Sequence, residues 1–515
     1  MSDVTTEEHP DAPPPAQTSK SDDVKTALRN GLRLGGSLFA TWSVAIFLRF
    51  LLPRFLGPEY FGVLSFSDSF AATYFIFLGL GIETYIQKEI PVRPQHASDF
   101  MGGVLLLRVS LSAGLLMALA GTLYLTHRSA QTLQLVLIFG MAQLLISVNN
   151  TLAALMQAHG TVGRLAIANV VSKLLWGGGT MALLIVRAPL WMIAATTFGS
   201  ELIKTVFIWS LVRATFKLDL RLDWKMLRMV LIASVPFYVN SVVITLNSKL
   251  DVTLLEFLTS DPVQVGWYSA AANLAGITLM LSPLLIWVVL PLLSRAAKRS
   301  REELWEIIRR AIEGIFLVTL PVILMAVLGA ELWITIVFGK AYAPAAMAVR
   351  TLCPLVMLTY LAMLLSMTLV ILERPWTLTI ISMIGLTTNV VLTLILVPVG
   401  ARLFPIGGAG VGDAAAVVVM ELVVTSLLLY NIGRHVFDRH MALIVGKAMV
   451  GLGAACGVHF ALRHLDSSMA QRLLRLAIDL VVYFAVTLAL GAPKLGDVRA
   501  IVSAVKNRNK QSPQT

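Results

Sequence analysis

Charge is scarce in this chain. Only 14% of its 515 residues are charged, against 57% hydrophobic, a balance that excludes an ordinary soluble domain and indicates a polytopic membrane protein. Cysteine is nearly absent as well: Cys353 and Cys456 both fall in apolar runs, so no disulfide framework is on offer. There is no GxxxxGK[S/T] phosphate loop, which speaks against ATP hydrolysis, and no HExxH or paired-cysteine spacing for a metal, so no cofactor is expected. Long polar connections are missing too. No segment between apolar runs is long enough for a catalytic domain, so the chain reads as something other than an enzyme, acting between packed helices.

Apolar runs, by contrast, fill the sequence. A helix needs about twenty apolar residues to cross the hydrocarbon core, and such runs lie at about 31–52, 62–86, 100–125, 132–157, 163–186, 190–212, 229–257, 264–290, 311–330, 349–372, 376–399, 410–432, 441–462 and 472–492. The expected fold class is therefore all-α, with about fourteen transmembrane helices. Basic residues set the orientation. With the N-terminus inside, about 27 Lys and Arg fall on cytoplasmic loops and ends and about 9 on the outer side, and an even number of spans returns the C-terminus to the cytoplasm. The net charge of +12 is thus read as a membrane-orientation signal and not as a nucleic-acid footprint.

The ends and the link divide the chain further. Residues 1–24 are acidic and proline-rich, as expected of a disordered cytoplasmic tail that is not a cleavable signal. Lys25 to Arg33 reads either as an ordinary positive flank or as a basic elbow on anionic lipid. Residues 25–212 form a first block of six spans, 213–228 a basic cytoplasmic link, 229–435 a second block of six, 436–493 a trailing pair, and 494–515 a basic tail. Residues 295–310 (RAAKRSREELWEIIRR) read as an amphipathic cytoplasmic helix.

The two blocks echo each other. After the first span comes Leu56-Gly57-Pro58-Glu59-Tyr60-Phe61-Gly62-Val63-Leu64-Ser65, and after the seventh Asp261-Pro262-Val263-Gln264-Val265-Gly266-Trp267-Tyr268-Ser269. Each is a short proline turn that re-enters the membrane at a glycine followed by two residues and a serine. The next span of each block is expected to end at a proline, Pro91 or Pro291, which removes a helix donor. Because six is even, the blocks share one orientation, as in parallel-repeat transporters.

These turns, with Phe338-Gly339-Lys340-Ala341-Tyr342 before the tenth span and Gly407-Gly408-Ala409-Gly410-Val411-Gly412 opening the twelfth, resemble the Wzx-type polysaccharide flippases of the multidrug/oligosaccharidyl-lipid/polysaccharide (MOP) exporter superfamily. The resemblance covers most of residues 25–490. It implies two six-helix lobes forming a V, with two C-terminal helices beside them. It also implies a cavity opening alternately to either side, and export of an undecaprenyl-pyrophosphate-linked oligosaccharide (O-antigen, capsule or exopolysaccharide unit) across the bacterial inner membrane. A polysaccharide polymerase and a chain-length regulator would be its partners, besides membrane lipids.

Charges within spans are costly and therefore candidates for function. Arg49 lies near the outer end of the first span and Arg108 near the inner end of the third, where snorkelling or pairing competes with a binding role. Lys173 sits near the middle of the fifth, followed by Trp176-Gly177-Gly178-Gly179, a run suited to close packing or a helix break. It could form a neutral network with Glu201 and Lys204 or a cationic cavity wall. Asn240, Asn247 and Asp251 share one face of the seventh span, widened by Ser241, Thr245 and Ser248, with Lys249 at its edge. Such a stripe either bonds to other helices or lines a wet cavity. At a shift of 200 residues Lys249 matches Arg49. Asp479 and Glu313 are expected to pair with Arg475 and with Arg309 or Arg310 on their own helices.

A pyrophosphate leaving water needs compensating charge, so Arg49, Lys173 and Lys249, with Asn240 and Asn247, are the expected substrate-binding residues. Asp251, Asp68 and Glu421 are candidates for proton or sodium coupling, with Asp251 preferred. Three alternatives remain open. They are a peptidoglycan lipid-precursor flippase, a multidrug cation antiporter, whose cavity would favour carboxylates and aromatics, and a membrane polymerase or glycosyltransferase, which would need a sizeable extramembrane loop.

Overall fold

The computed structural model describes residues 20–93, 97–216, 223–279, 282–433, 436, 438–465 and 468–492. Sixteen α-helices run through them: α1 Lys20–Phe75, α2 Ile82–Glu89, α3 Ala97–Leu125, α4 Ala130–Ala158, α5 Val162–Ile185, α6 Leu190–Phe216, α7 Trp224–Thr259, α8 Pro262–Leu279, α9 Ser282–Arg299, α10 Arg301–Leu328, α11 Ala330–Val337, α12 Ala345–Ile371, α13 Pro375–Leu403, α14 Gly408–Ile432, α15 Arg439–Ala461 and α16 Met469–Ala489. Polar residues punctuate them where the chain turns. Ser129 caps α4, Asp223 caps α7, Ser300 caps α10, and Ser468 with Gln471 closes a reciprocal capping box on α16.

Among the described residues, nine helical stretches are long and apolar enough to cross a membrane. The first, Thr41–Leu78, has 38 residues. At 1.5 Å per residue that is about 57 Å, nearly twice the hydrocarbon thickness. Its backbone leaves helical geometry at Gly57 (φ 74°, ψ 170°), so two segments meet there, as the proline turn predicts. Helices α6, α7, α8 with α9, and α16 occupy the other expected runs.

The hydrophobic cores explain the shape. One core joins both halves of the chain: Phe61, Phe66, Leu135 and Ile193 from the first pack with Leu255, Tyr342, Leu352 and Ala409 from the second. All lie toward the end of the bundle that holds the Gly57, Ser260 and Gly407 turns. At the opposite, basic end each half has a core of its own, Ile86, Phe100, Leu155 and Val212 in the first and Leu304, Leu365, Ile381 and Leu428 in the second. The halves thus converge at the turn end and keep separate interiors at the basic end. Helices α15 and α16 pack against α10 through Leu320, Leu324, Ala448 and Tyr483.

Several expectations change here. Pro291 does not end a helix, since α9 continues past it to Arg299. Residues 295–310 are not one helix: Ser300 leaves α9 and caps α10 by accepting from the Glu303 amide at 3.1 Å, and Leu304 and Ile308 turn inward while the charges stay out. The glycine run at 177–179 does not break α5. Gly177 instead lets α5 close onto Val44 of α1, where a β-carbon would overlap the valine. The break falls in the second expected span, where Ile76–Leu78 is a 3₁₀ turn and Leu80 and Gly81 take positive φ (51° and 66°) before α2 restarts the helix. Residues 25–33 lie within α1, not in an elbow. Residues 1–19, the link positions Lys217 and Arg221, and the tail 494–515 lie outside the described residues.

Candidate functional site

Helix α7 is the hinge plate between the halves, packed against α1, α2 and α3 on one side and α13 on the other. Its polar stripe therefore divides into two faces. Thr245, Lys249 and Thr253, one turn apart, look into the first half. Lys249 Nζ donates to Asp68 Oδ2 of α1 at 2.6 Å, and the Thr253 hydroxyl lies 3.5 Å from that of Thr73. Asp251 looks the other way and is 9% exposed, its Oδ1 accepting from Asn389 Nδ2 of α13 at 2.7 Å. Asn247, one turn before it, has a buried amide oxygen with no hydrogen-bond partner among the described residues. The side chains of Asn240 and Ser241 lie outside the described residues. A sequence stripe gives helical phase but not the number of neighbours, so one wide face was expected where two narrow ones exist.

Lys249 and Asp68 thus neutralise each other. Each is about a third exposed. Near the turn end a second ion pair joins the same helices' surroundings: Arg128 reaches Glu256 Oε1 at 2.5 Å and its carbonyl at 3.1 Å, and stacks over Phe66 and Phe257. Tyr342 donates to the Pro53 carbonyl at 2.9 Å, and Arg54 to that of Ile336 at 2.7 Å. These contacts tie the halves together at one end.

Arg49 differs from Lys249. It is exposed, has no carboxylate within 4 Å among the described residues, and points its Nη1 at α8, 3.6 Å from where a β-carbon on Gly276 would stand. Its guanidinium therefore lies between the halves without a carboxylate partner among the described residues. The repeat match to Lys249 does not hold in three dimensions. Gly62 lies against Pro262 and Gly266 against Pro58, a reciprocal register that puts Thr253 in the place of Arg49. Lys173 is half-buried on α5 with its ammonium 4.7 Å from the Trp176 ring centroid. Glu201 binds Lys204 at 3.7 Å and Asn149 at 2.8 Å, so the acid's direct partners do not include Lys173.

In the second half, Asp251 has a neighbour that the sequence reading passed over. Asp413, fully buried on α14, accepts from Thr393 of α13 at 3.2 Å, and Tyr268 of α8 lies beside it. Two buried carboxylates thus sit with Asn389, Thr393 and Tyr268 among four helices, and no Lys or Arg lies within 4 Å of either among the described residues. Asp413 lies inside the expected span 410–432, directly after the glycine-rich opening, and drew no notice there. The i, i+4 spacing of Asn389 and Thr393 opposite it was the available signal. Glu421, half-buried on α14, lies beside Thr359 of α12 and stands apart from this pair.

The first half has its own buried charge. Arg108, wholly buried, binds Glu83 Oε1 at 2.7 Å, the Ser147 carbonyl and the Gly79 carbonyl. Thr151 donates to the same Glu83 oxygen at 3.2 Å. The arginine is thus structurally paired, and it satisfies backbone oxygens freed by the break before α2. Asp479 likewise bonds across helices, to His459 Nδ1 of α15 at 2.5 Å, and Glu313 to His440 at 3.2 Å.

Residues 51–347, more than half the chain, match the polysaccharide biosynthesis protein family. The chain belongs to that family. Among curated proteins none matches it in sequence. Solved structures do match in fold. A lipid II flippase, MurJ, in an inward closed conformation aligns with TM-score 0.68 and 15% identity over 88% of this chain and 97% of that one. A multidrug resistance MATE family transporter of the MOP superfamily, inward-facing, aligns with TM-score 0.59 and 16% identity over 75% and 94%. The Vibrio cholerae MATE transporter aligns with TM-score 0.52 and 13% identity over 79% and 99%. The polysaccharide biosynthesis family match and this shared fold bear out the resemblance that the turn motifs suggested, and make the chain a multi-pass membrane protein with the fold of those transporters.

Proposed function

We propose that this protein is a flippase that carries an undecaprenyl-pyrophosphate-linked oligosaccharide from the cytoplasmic to the periplasmic leaflet of the bacterial inner membrane, both chain ends lying in the cytoplasm. The observation that carries the reading is Arg49. It is an exposed guanidinium without a carboxylate partner among the described residues, aimed between the halves toward Gly276, in a chain of the polysaccharide biosynthesis family. A guanidinium binds phosphate oxygens bidentately and keeps its charge in a low dielectric. Lys173 adds a second, ring-stacked cation, while Lys249 enters only if its bond to Asp68 opens.

Alternating access follows from the cores. A joint at the turn end, held by Lys249–Asp68 and Arg128–Glu256, with separate cores at the other end, supports a transport cavity facing the basic, cytoplasmic end. Opening the joint and closing the basic end would turn it outward. Asp251 and Asp413 support coupling to a cation gradient, because two carboxylates buried without a basic side chain are compensated by a proton or a bound metal cation. A polymerase and a chain-length regulator would receive the product.

The test is genetic and chemical together. Deletion should build up a cytoplasm-facing undecaprenyl-linked oligosaccharide, and Arg49→Gln should fail to clear it at normal membrane abundance. Normal glycan display in the deletion strain would refute the reading. The likeness to a lipid II flippase favours a second reading, in which the cargo is the peptidoglycan precursor. Rescue of cells depleted of their lipid II flippase would select it.

A further inference from the structure

The break before α2 opens a space. A cavity of about 460 Å³ lies between the 3₁₀ turn, α2, α4 and Thr245 of α7, within the range of small-molecule sites, roughly 300 to 1,000 Å³. Its polar wall is Glu83, Thr84 and Gln87 from α2 and Gln143, Asn150 and Gln157 from α4. The last three stand seven residues apart, so they share one face of the helix and extend over about 21 Å. Gln87 and Gln157 bond each other at 2.8 Å, whereas Gln143 and Asn150 make no hydrogen bond to another described residue. Each carries two donors and an acceptor into the space.

The chemistry of this wall excludes an anion. Among the described residues no Lys or Arg side chain lines it, and Glu83 supplies the only charge there, balanced from behind by Arg108. A cation is disfavoured by the same pairing, since Arg108 and Thr151 both occupy the Glu83 Oε1. What remains is a neutral ligand rich in hydroxyls. Amide groups donate to one hydroxyl and accept from its neighbour, and a row of three fits a ligand longer than one ring.

Resting on the flippase reading, we infer that this cavity is a saccharide subsite: Gln143, Asn150 and the Gln87–Gln157 pair hold the sugar portion of the lipid-linked cargo while Arg49 holds its diphosphate. The two ends of the substrate are then read by separate chemistries, amides for hydroxyls and cations for phosphate. Arg108 acts as a positioning residue, because it fixes Glu83 and the broken backbone that shape the wall.

The experiment uses the full-length protein in nanodiscs and two probes, undecaprenyl diphosphate without sugar and the same lipid carrying the cell's own oligosaccharide. The Q143A/N150A double variant should bind the glycan-bearing lipid about tenfold more weakly, the loss of two hydrogen bonds, and the bare lipid as well as wild type does. Asn150→Trp, which fills the cavity, should give the same split, and Arg49→Gln should weaken both. Unchanged affinity of both cavity variants for the glycan-bearing lipid, or equal loss for the two lipids, would overturn the subsite and leave the flippase reading standing. Failure of the wild-type protein to bind either lipid would remove both.

Discussion

Gly62 and Gly266 face each other across the two halves of the chain, each lying against the carbonyl of the other's turn proline, Pro262 and Pro58. A β-carbon on either would overlap backbone, so α1 and α8 meet at a separation only glycine permits. The contact is reciprocal because the turns are copies of one motif. Its position at the turn end makes it part of the joint that must part when the halves open there.

Substituting at that contact should cost stability. Gly62→Val or Gly266→Val is expected to destabilise the protein by about 1–3 kcal/mol, as overpacking does, and Gly62→Ala by less. Thermal unfolding in detergent measures this. An unchanged midpoint for Gly62→Val would show that the helices can separate freely there.

The Lys249–Asp68 bond gives a second test. Each partner is about a third exposed, so the pair contributes little to folding, and its effect belongs to the balance between closed and open joints. Lys249→Asp should impair transport, and combining it with Asp68→Lys should restore most of it. Failure of the swap with both proteins present would mean that position, and not the bond, matters.

Arg108 and Glu83 should behave as a unit. Arg108→Leu leaves Glu83 without its cation in a largely buried site and should destabilise by about 3 kcal/mol or more, while pairing it with Glu83→Leu should recover much of the loss. Unfolding midpoints of the three variants check the cycle. Additive losses would exclude the coupling.

Asp251 and Asp413 are expected to carry the dependence on an ion gradient. Asp413→Asn and Asp251→Asn should each abolish the response of transport to an imposed proton or sodium gradient, with protein abundance unchanged. Glu421→Gln, away from the pair, should retain the response. A wild-type transporter indifferent to proton, sodium and voltage gradients would refute coupling.

Much of the architecture could be read from the chain, and the reason is local. Apolar runs of bilayer length, proline-glycine turns and the bias of basic residues are all short-range signals, and they suffice for helices, their order and the echo between halves. The site was legible only in part. Arg49, Lys173, Asp251 and Lys249 stand out because charge in an apolar run is conspicuous, whereas Asp413 beside a glycine turn and the amides Gln143, Asn150 and Gln157 do not, since neutral polar residues are common in helices.

By itself, then, the sequence determined that this is an all-helical membrane chain with two similar blocks and few intramembrane charges, because the bilayer imposes helix length and apolar composition residue by residue. Tertiary structure decided what each charge does. It paired Lys249 with Asp68 and Arg108 with Glu83, left Arg49 between the halves, turned Asp251 toward Asp413, and moved the helix break from Gly177–Gly179 to Ile76–Gly81. Those outcomes depend on which helices lie side by side, and helical phase along one segment carries no record of its neighbours.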